Sequence, residues 1–196
     1  MIRIVPFEQL SAGQHEAAAA ILVRAFAHAP SAWGNLDYAR AEVATFLQPP
    51  LSNRYRPHRQ RERTALAALD SDVLIGWVGL IRTYSHAFEL HPIAVDPDRQ
   101  GRGVGAALVA ALEAQAKSDG ALTLYLGADD DFGGTSLFGA DPYPDLLASL
   151  GGIEARRGQR HPLGFYRKVG FALAGLIPDA NGAGKPDILF AKRLGE

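Results

Sequence analysis

The chain has 196 residues, 47% hydrophobic and 21% charged, a length that fits one soluble globular domain over residues 1–196 at roughly 100–200 residues per domain. Lysine and arginine total 20 against 21 aspartates and glutamates, and the net charge of −1 excludes the global basic excess of a dedicated nucleic-acid or anionic-membrane binder. Cysteine is absent, which excludes disulfides, thiolate metal sites and acyl transfer through a protein thiol.

In chain order, residues 2–7 read as a strand and Glu16 to Ala29 as an alanine-rich helix stopped by Pro30. A second helix is predicted over Tyr38 to Leu47, where Val43, Phe46 and Leu47 keep helical spacing before Pro49-Pro50. Asn53 to Arg63 carries Arg54, Arg56, Arg59, Arg61 and Arg63 against Glu62 alone and reads as an exposed basic loop. Thr64 to Leu69 and Val73 to Tyr84 form a hairpin about the Asp70-Ser71-Asp72 turn. Phe88 to Val95 is a strand, followed by a glycine-rich turn, a helix from Gly103 to Ser118 closed by Gly120, and a strand over Ala121 to Leu126. An acidic loop, Asp129 to Asp145, leads to a short helix around Leu146 to Leu150 and a basic stretch, Arg156 to Arg160. Helix Pro162 to Val169, strand Phe171 to Leu176 and strand Asp187 to Lys192 complete the chain, and the mixture defines an α/β or α+β fold.

The longest apolar stretch, Val73 to Ile81, falls far short of the roughly 18 residues of a spanning helix, and Met1 to Glu8 lacks the pattern of a signal peptide. A cytoplasmic location is expected.

The turn from Val95 to Ala106 is the most specific feature. A helix N-terminus offers unpaired N–H groups and the positive end of the macrodipole, and Gly101, Gly103 and Gly105 let an anion approach the backbone closely. A dinucleotide fingerprint would need G-x-G-x-x-G directly after its strand, and a P-loop would need a Lys-Ser/Thr pair, neither of which is present. A glycine-rich turn with no ligand is the plain alternative.

Gln100, Gly103 and Gly105 resemble the Q/R-x-x-G-x-G/A signature of the GNAT superfamily of N-acetyltransferases. Further segments resemble one branch of it, the aminoglycoside 6′-N-acetyltransferases of the enterococcal chromosomal type. They are Glu89 to Val95, Leu124 to Asp130, His161-Pro162 with Phe165-Tyr166 and Gly170-Phe171, Pro178 to Gly182, Lys185 to Asp187, and Ala191-Lys192. The resemblance implies a single GNAT-like domain with a mixed, mostly antiparallel sheet flanked by helices and a splayed central strand pair. It implies acetyl-CoA as co-substrate and no metal, with the coenzyme held by Ile93, Ala94, Val95, Gln100, Gly101, Arg102, Gly103, Val104, Gly105 and Ala106.

The implied reaction is direct attack of a primary amine, on an aminoglycoside the 6′-amine, upon the acetyl thioester. Glu89 is then a candidate to hold the acceptor ammonium and relay its proton, and strand alternation puts His91 on the same face. An exposed strand carboxylate and a structural histidine are the ordinary alternatives. Ile93 would offer its backbone N–H to the acetyl oxygen beside Pro92, which cannot donate to a neighbouring strand. Tyr166 is the candidate acid toward the leaving sulfur, or else a packing aromatic. Phe26, Trp33 and Tyr84 are candidate aromatic walls for the acceptor, and Asp129 and Asp131 its candidate acidic contacts in a loop without lysine or arginine.

The expected partners are a polycationic amine and a second copy of the chain in a homodimer, with no nucleic acid and no membrane. A GNAT enzyme for another polyamine, amino sugar or protein amine, and a non-catalytic acetyl-CoA sensor, remain the competing readings, because a fold shared by many acceptors does not settle substrate.

Overall fold

The computed structural model describes residues 2–29, 33–49, 62–159 and 161–195. The basic loop expected from Asn53 to Arg63 therefore lies outside the described residues, apart from Glu62 and Arg63, as does Arg160 at the end of the second basic stretch. Contacts divide the chain into two units, one of residues 1–27, 33–124 and 194–196 and the other of residues 28–32 and 125–193.

In the first unit β1 (Ile2–Pro6), β2 (Arg63–Asp70), β3 (Val73–Ile81) and β4 (Ala87–Val95) pair in that order, each antiparallel to the next. Helices α1 (Ala12–Ala25), α2 (Leu36–Thr45) and α3 (Val104–Ser118) accompany them. Helix α1 begins four residues before the expected Glu16 because Ser11 and Gln14 form a reciprocal capping box, which satisfies two backbone donors that apolar spacing does not reveal. Asn35 likewise caps α2 by accepting from Tyr38 N.

The core of this unit forms where α1 and α2 bury Ala18, Ala19, Leu22, Val43 and Phe46 with Trp77 of β3. Trp77 is fully buried, and its indole N–H donates to the Ala18 carbonyl at 3.2 Å, so the largest side chain of the core leaves no polar atom unsatisfied. Strand β3 ends at Ile81 rather than Tyr84. Beyond it Arg82 turns inward to an ion pair with Asp119 and Tyr84 sits at the turn into β4.

The second unit contains most of β5 (Thr123–Asp129), then α4 (Leu146–Gly151), α5 (Leu163–Lys168), β6 (Ala172–Ile177) and β7 (Asp187–Arg193), with strands in the order β5-β7-β6 and the last two antiparallel. Leu126, Ile153, Leu163, Tyr166, Phe171, Ile188 and Phe190 are among its buried side chains. Strands and helices mix in both units, the α/β or α+β class expected from the sequence. No helix among the described residues is long and apolar enough to cross a membrane.

Candidate active site

The turn after β4 is held by its own backbone and by charges from elsewhere in the first unit. Asp96 N donates to the Ile75 carbonyl, and an Asp96 carboxylate oxygen accepts from Asp98 N across the single 3-10 turn Pro97–Arg99. Arg24, in the last turn of α1, donates to Asp96 at 3.0 Å and to Asp98 at 2.8 Å, while Arg99 reaches Asp70 at 3.3 Å. The Gln100 side chain donates back to the Val95 carbonyl at 3.0 Å, so this signature residue braces the turn through its amide.

Gly101 and Gly103 have φ of 73° and 84°, and beyond the adjoining backbone no atom of the described residues lies within 4 Å of where a Cβ would stand on either. Gly103 is the N-cap of α3 and supplies no side-chain cap. The first intrahelical bond runs from Ala107 N to the Gly103 carbonyl, so the N–H groups of Val104, Gly105 and Ala106 precede the helical ladder. Exposed Arg102 adds positive charge beside them. Open space, uncapped amides and the positive end of a fifteen-residue helix fit the diphosphate of a coenzyme.

Along β4 burial alternates strictly: Phe88, Leu90, Pro92 and Ala94 are buried, whereas Glu89, His91, Ile93 and Val95 are half-buried on the other face. The β3–β4 register slips by one residue between Val78 and Leu80, leaving Gly79 opposite His91 and Pro92, so this irregularity precedes Ile93. A Cβ at Gly79 would overlap the His91 carbonyl and the Phe46 ring, which is why the slip occurs at a glycine.

His91 packs its ring 5.7 Å from that of Trp33, and Trp33 lies edge-on to Phe26 with centroids 4.9 Å apart. Three of the expected residues thus form one aromatic group at the C-terminal end of α1. Glu42 of α2 approaches His91 from another side, with Oε1 3.7 Å from Nε2. Tyr84, 65% exposed on the β3–β4 turn, stands outside any strand face, contrary to its expected place at the end of a strand.

In the second unit Tyr166 is buried among Phe165, Phe171 and Phe190, with ring centroids 5.3, 5.9 and 5.3 Å away, and burial pushes its phenol above the ordinary value. The hydroxyl is therefore protonated at neutral pH, as a proton donor must be.

The acidic loop is not a uniform row of solvated charge. Asp130 is fully buried and accepts from Gly134 N, Thr135 N and Thr135 Oγ1 at 2.6, 2.8 and 2.7 Å. Asp141 and Asp145 cap local backbone by accepting from Tyr143 N and Ala148 N. Asp129 is exposed and accepts from Asn181 Nδ2 at 2.6 Å, whereas Asp131 is buried. Among the described residues no group of three or more His, Asp or Glu side chains is placed to hold a metal ion.

Glu42, Arg24 and Asp130 escape sequence reasoning as parts of these assemblies. Glu42 and Arg24 lie on exposed-looking helix positions, and nothing local ties them to β4 or to the turn beyond it.

An uncapped glycine turn between a strand of an antiparallel sheet and a long helix is the framework of a site for an anionic coenzyme. The chain belongs to the acetyltransferase (GNAT) family, whose model matches residues 30–135, and is an acetyltransferase of that family. It is similar to the crystal structure of an aminoglycoside 6′-N-acetyltransferase complexed with coenzyme A, with 32% identity, 99% of this chain and 98% of that chain covered and a TM-score of 0.83. The aminoglycoside 6′-N-acetyltransferase from Enterococcus faecium is 31% identical over 99% of this chain and 98% of its own, with a TM-score of 0.81. An aminoglycoside 6′-acetyltransferase type Ii is 28% identical over the same shares, with a TM-score of 0.69. No curated protein sequence is significantly similar to the chain.

Proposed function

We propose that the protein transfers an acetyl group from acetyl-CoA to a primary amine of an aminoglycoside, the 6′-amine, and thereby confers resistance. The observation that carries this reading is the nearly full-length likeness, at 31–32% identity, to two aminoglycoside 6′-N-acetyltransferases, one of them complexed with coenzyme A.

The Val104, Gly105 and Ala106 amides, with Gly101, Arg102 and Gly103, would hold the coenzyme diphosphate, and Ile93, Ala94 and Val95 would lie along its arm. Bound acetyl-CoA supplies an activated acetyl thioester. The Glu89 carboxylate binds the acceptor ammonium and takes its proton, and His91, on the same strand face, orients the amine. Phe26 and Trp33 give the sugar ring an apolar wall, and exposed Asp129, unlike buried Asp131, attracts its remaining ammonium groups. Tyr166 Oη carries the proton for the leaving sulfur. Orientation of the two reactants accounts for much of the rate, since converting a bimolecular attack to an oriented one removes roughly 7–11 kcal/mol of barrier. A homodimer belongs to the same reading and is checked by light scattering of the eluted protein.

Acetyl-transfer assays with kanamycin-type, gentamicin-type and polyamine acceptors test the proposal. Turnover confined to aminoglycosides bearing a 6′-amine is the expected result. Turnover on polyamines alone would replace the acceptor, and coenzyme binding with no turnover on any amine would favour a sensor.

A further inference from the structure

The carboxylate of Glu42 ends between side chains of two strands. Oε1 is 3.3 Å from Nη1 of Arg63 on β2 and 3.7 Å from Nε2 of His91 on β4. The guanidinium that holds it is itself held: Arg63 Nη1 also donates to Thr45 Oγ1 at 3.2 Å, and that hydroxyl donates to the backbone carbonyl of Glu42 at 2.7 Å. The guanidinium lies over the Phe46 ring, 5.6 Å from its centroid. The Glu42 side chain is 18% exposed and that of His91 39%, so the carboxylate is the more deeply placed partner. Trp33 packs against the imidazole.

An ionised carboxylate only accepts hydrogen bonds, so the ring nitrogen that faces it is the one that keeps its hydrogen. With the proton on Nε2, a neutral imidazole leaves Nδ1 as its basic nitrogen. At 3.7 Å the contact is longer than a hydrogen bond, and contacts of this kind are often long in an unloaded enzyme and shorten on binding.

We propose that Glu42 is a positioning residue for His91: held by Arg63, its carboxylate fixes the ring in the Nε2–H tautomer and leaves Nδ1 as the nitrogen that takes part in amine acetylation. The inference rests on the reading of the β4 face as the acceptor side of an N-acetyltransferase. It assigns Glu42 a role exerted through the histidine.

Imidazole nitrogen shifts of the full-length protein labelled with nitrogen-15 histidine, with the His91 signals assigned from a His91→Asn variant, report the tautomer without any turnover. In mildly alkaline buffer the parent is expected to show Nε2–H at His91. Glu42→Gln, whose amide can present either a donor or an acceptor, is expected to give mixed tautomers and about a tenfold lower kcat with an unchanged KM for acetyl-CoA. Arg63→Leu, which removes the group that holds the Glu42 carboxylate, is expected to give mixed tautomers as well and keeps the proposal testable should the glutamine variant fail to fold; a parent-like Nε2–H ring in both variants overturns it. An Nδ1–H ring in the parent overturns the proposal, as does a folded Glu42→Gln protein with the parent tautomer and kcat. An Nε2–H parent that acetylates no amine would remove the acceptor reading and uphold the tautomer assignment.

Discussion

The backbone N–H of Leu163 donates to Nδ1 of His161 at 3.1 Å. A nitrogen that accepts carries no proton, so the ring is neutral with its hydrogen on Nε2, which faces the Ala128 carbonyl at 3.4 Å. The side chain is buried, and burial holds its pKa below the ordinary imidazole value, opposed in part by the charge of Asp130.

Stability should therefore depend on pH through this ring. Above the unfolded value of about 6.5 both states are neutral and the contribution is complete; as the pH falls below it, the unfolded chain takes up the proton first and stability declines. Thermal melts between about pH 5 and 8 are expected to show a falling Tm on the acid side. His161→Asn, whose side-chain oxygen still accepts from Leu163, is expected to flatten that fall, and an equal slope in the variant would acquit His161.

Arg24 joins the end of α1 to both aspartates that flank Pro97. Its side chain is half-exposed, so each ion pair alone adds little to stability, but together they fix the entry to the glycine turn. Arg24→Gln is expected to raise KM for acetyl-CoA about threefold at unchanged kcat, with Asp98→Asn adding little further in the double variant. Steady-state kinetics at low and high salt check this, since the parent should approach the variant as salt rises.

Two neighbouring aspartates should separate stability from acceptor binding. Asp130→Ala strands three buried donors and is expected to cost about 2–4 kcal/mol in urea denaturation. Asp129→Asn changes an exposed carboxylate and is expected to shift stability by less than about 0.5 kcal/mol while raising KM for a polycationic acceptor.

Gly79→Ala places a methyl against the His91 carbonyl and 2.5 Å from a Phe46 ring carbon. Backbone cannot step aside as a flexible side chain can, so a loss of about 2–3 kcal/mol is expected in denaturant melts, together with lower turnover as His91 shifts. Parent-like stability would mean that β4 relaxes at the register slip.

Features that act through their own backbone were the legible ones. Gly101 and Gly103 announce the turn because the left-handed conformation is a property of each residue alone, and alternation along Glu89 to Val95 predicts which side chains share a face. Helix starts shift where Ser11 caps α1 and Asn35 caps α2, although the Asp145 cap leaves α4 starting at Leu146 as expected. The acidic loop misled because charge counts do not distinguish Asp130, folded inward onto three donors, from exposed Asp129. Arg24 was invisible because its partners lie 72 and 74 residues away, and Glu42 because its histidine belongs to another element. Such pairs exist only once α1, α2 and β4 have packed.

The two glycines of the turn meet a demand of handedness, not of bulk. An L-alanine at Gly103 would be strained by about 1–2 kcal/mol through its backbone alone, although its methyl would touch nothing. A mirror-image alanine would accept the same φ freely while adding a methyl to the N-cap of α3. D-alanine at Gly103 should thus leave a folded, unstrained turn whose coenzyme affinity reads the added methyl alone, separating two properties that glycine supplies together: chirality tolerance in the chain, and clearance above it.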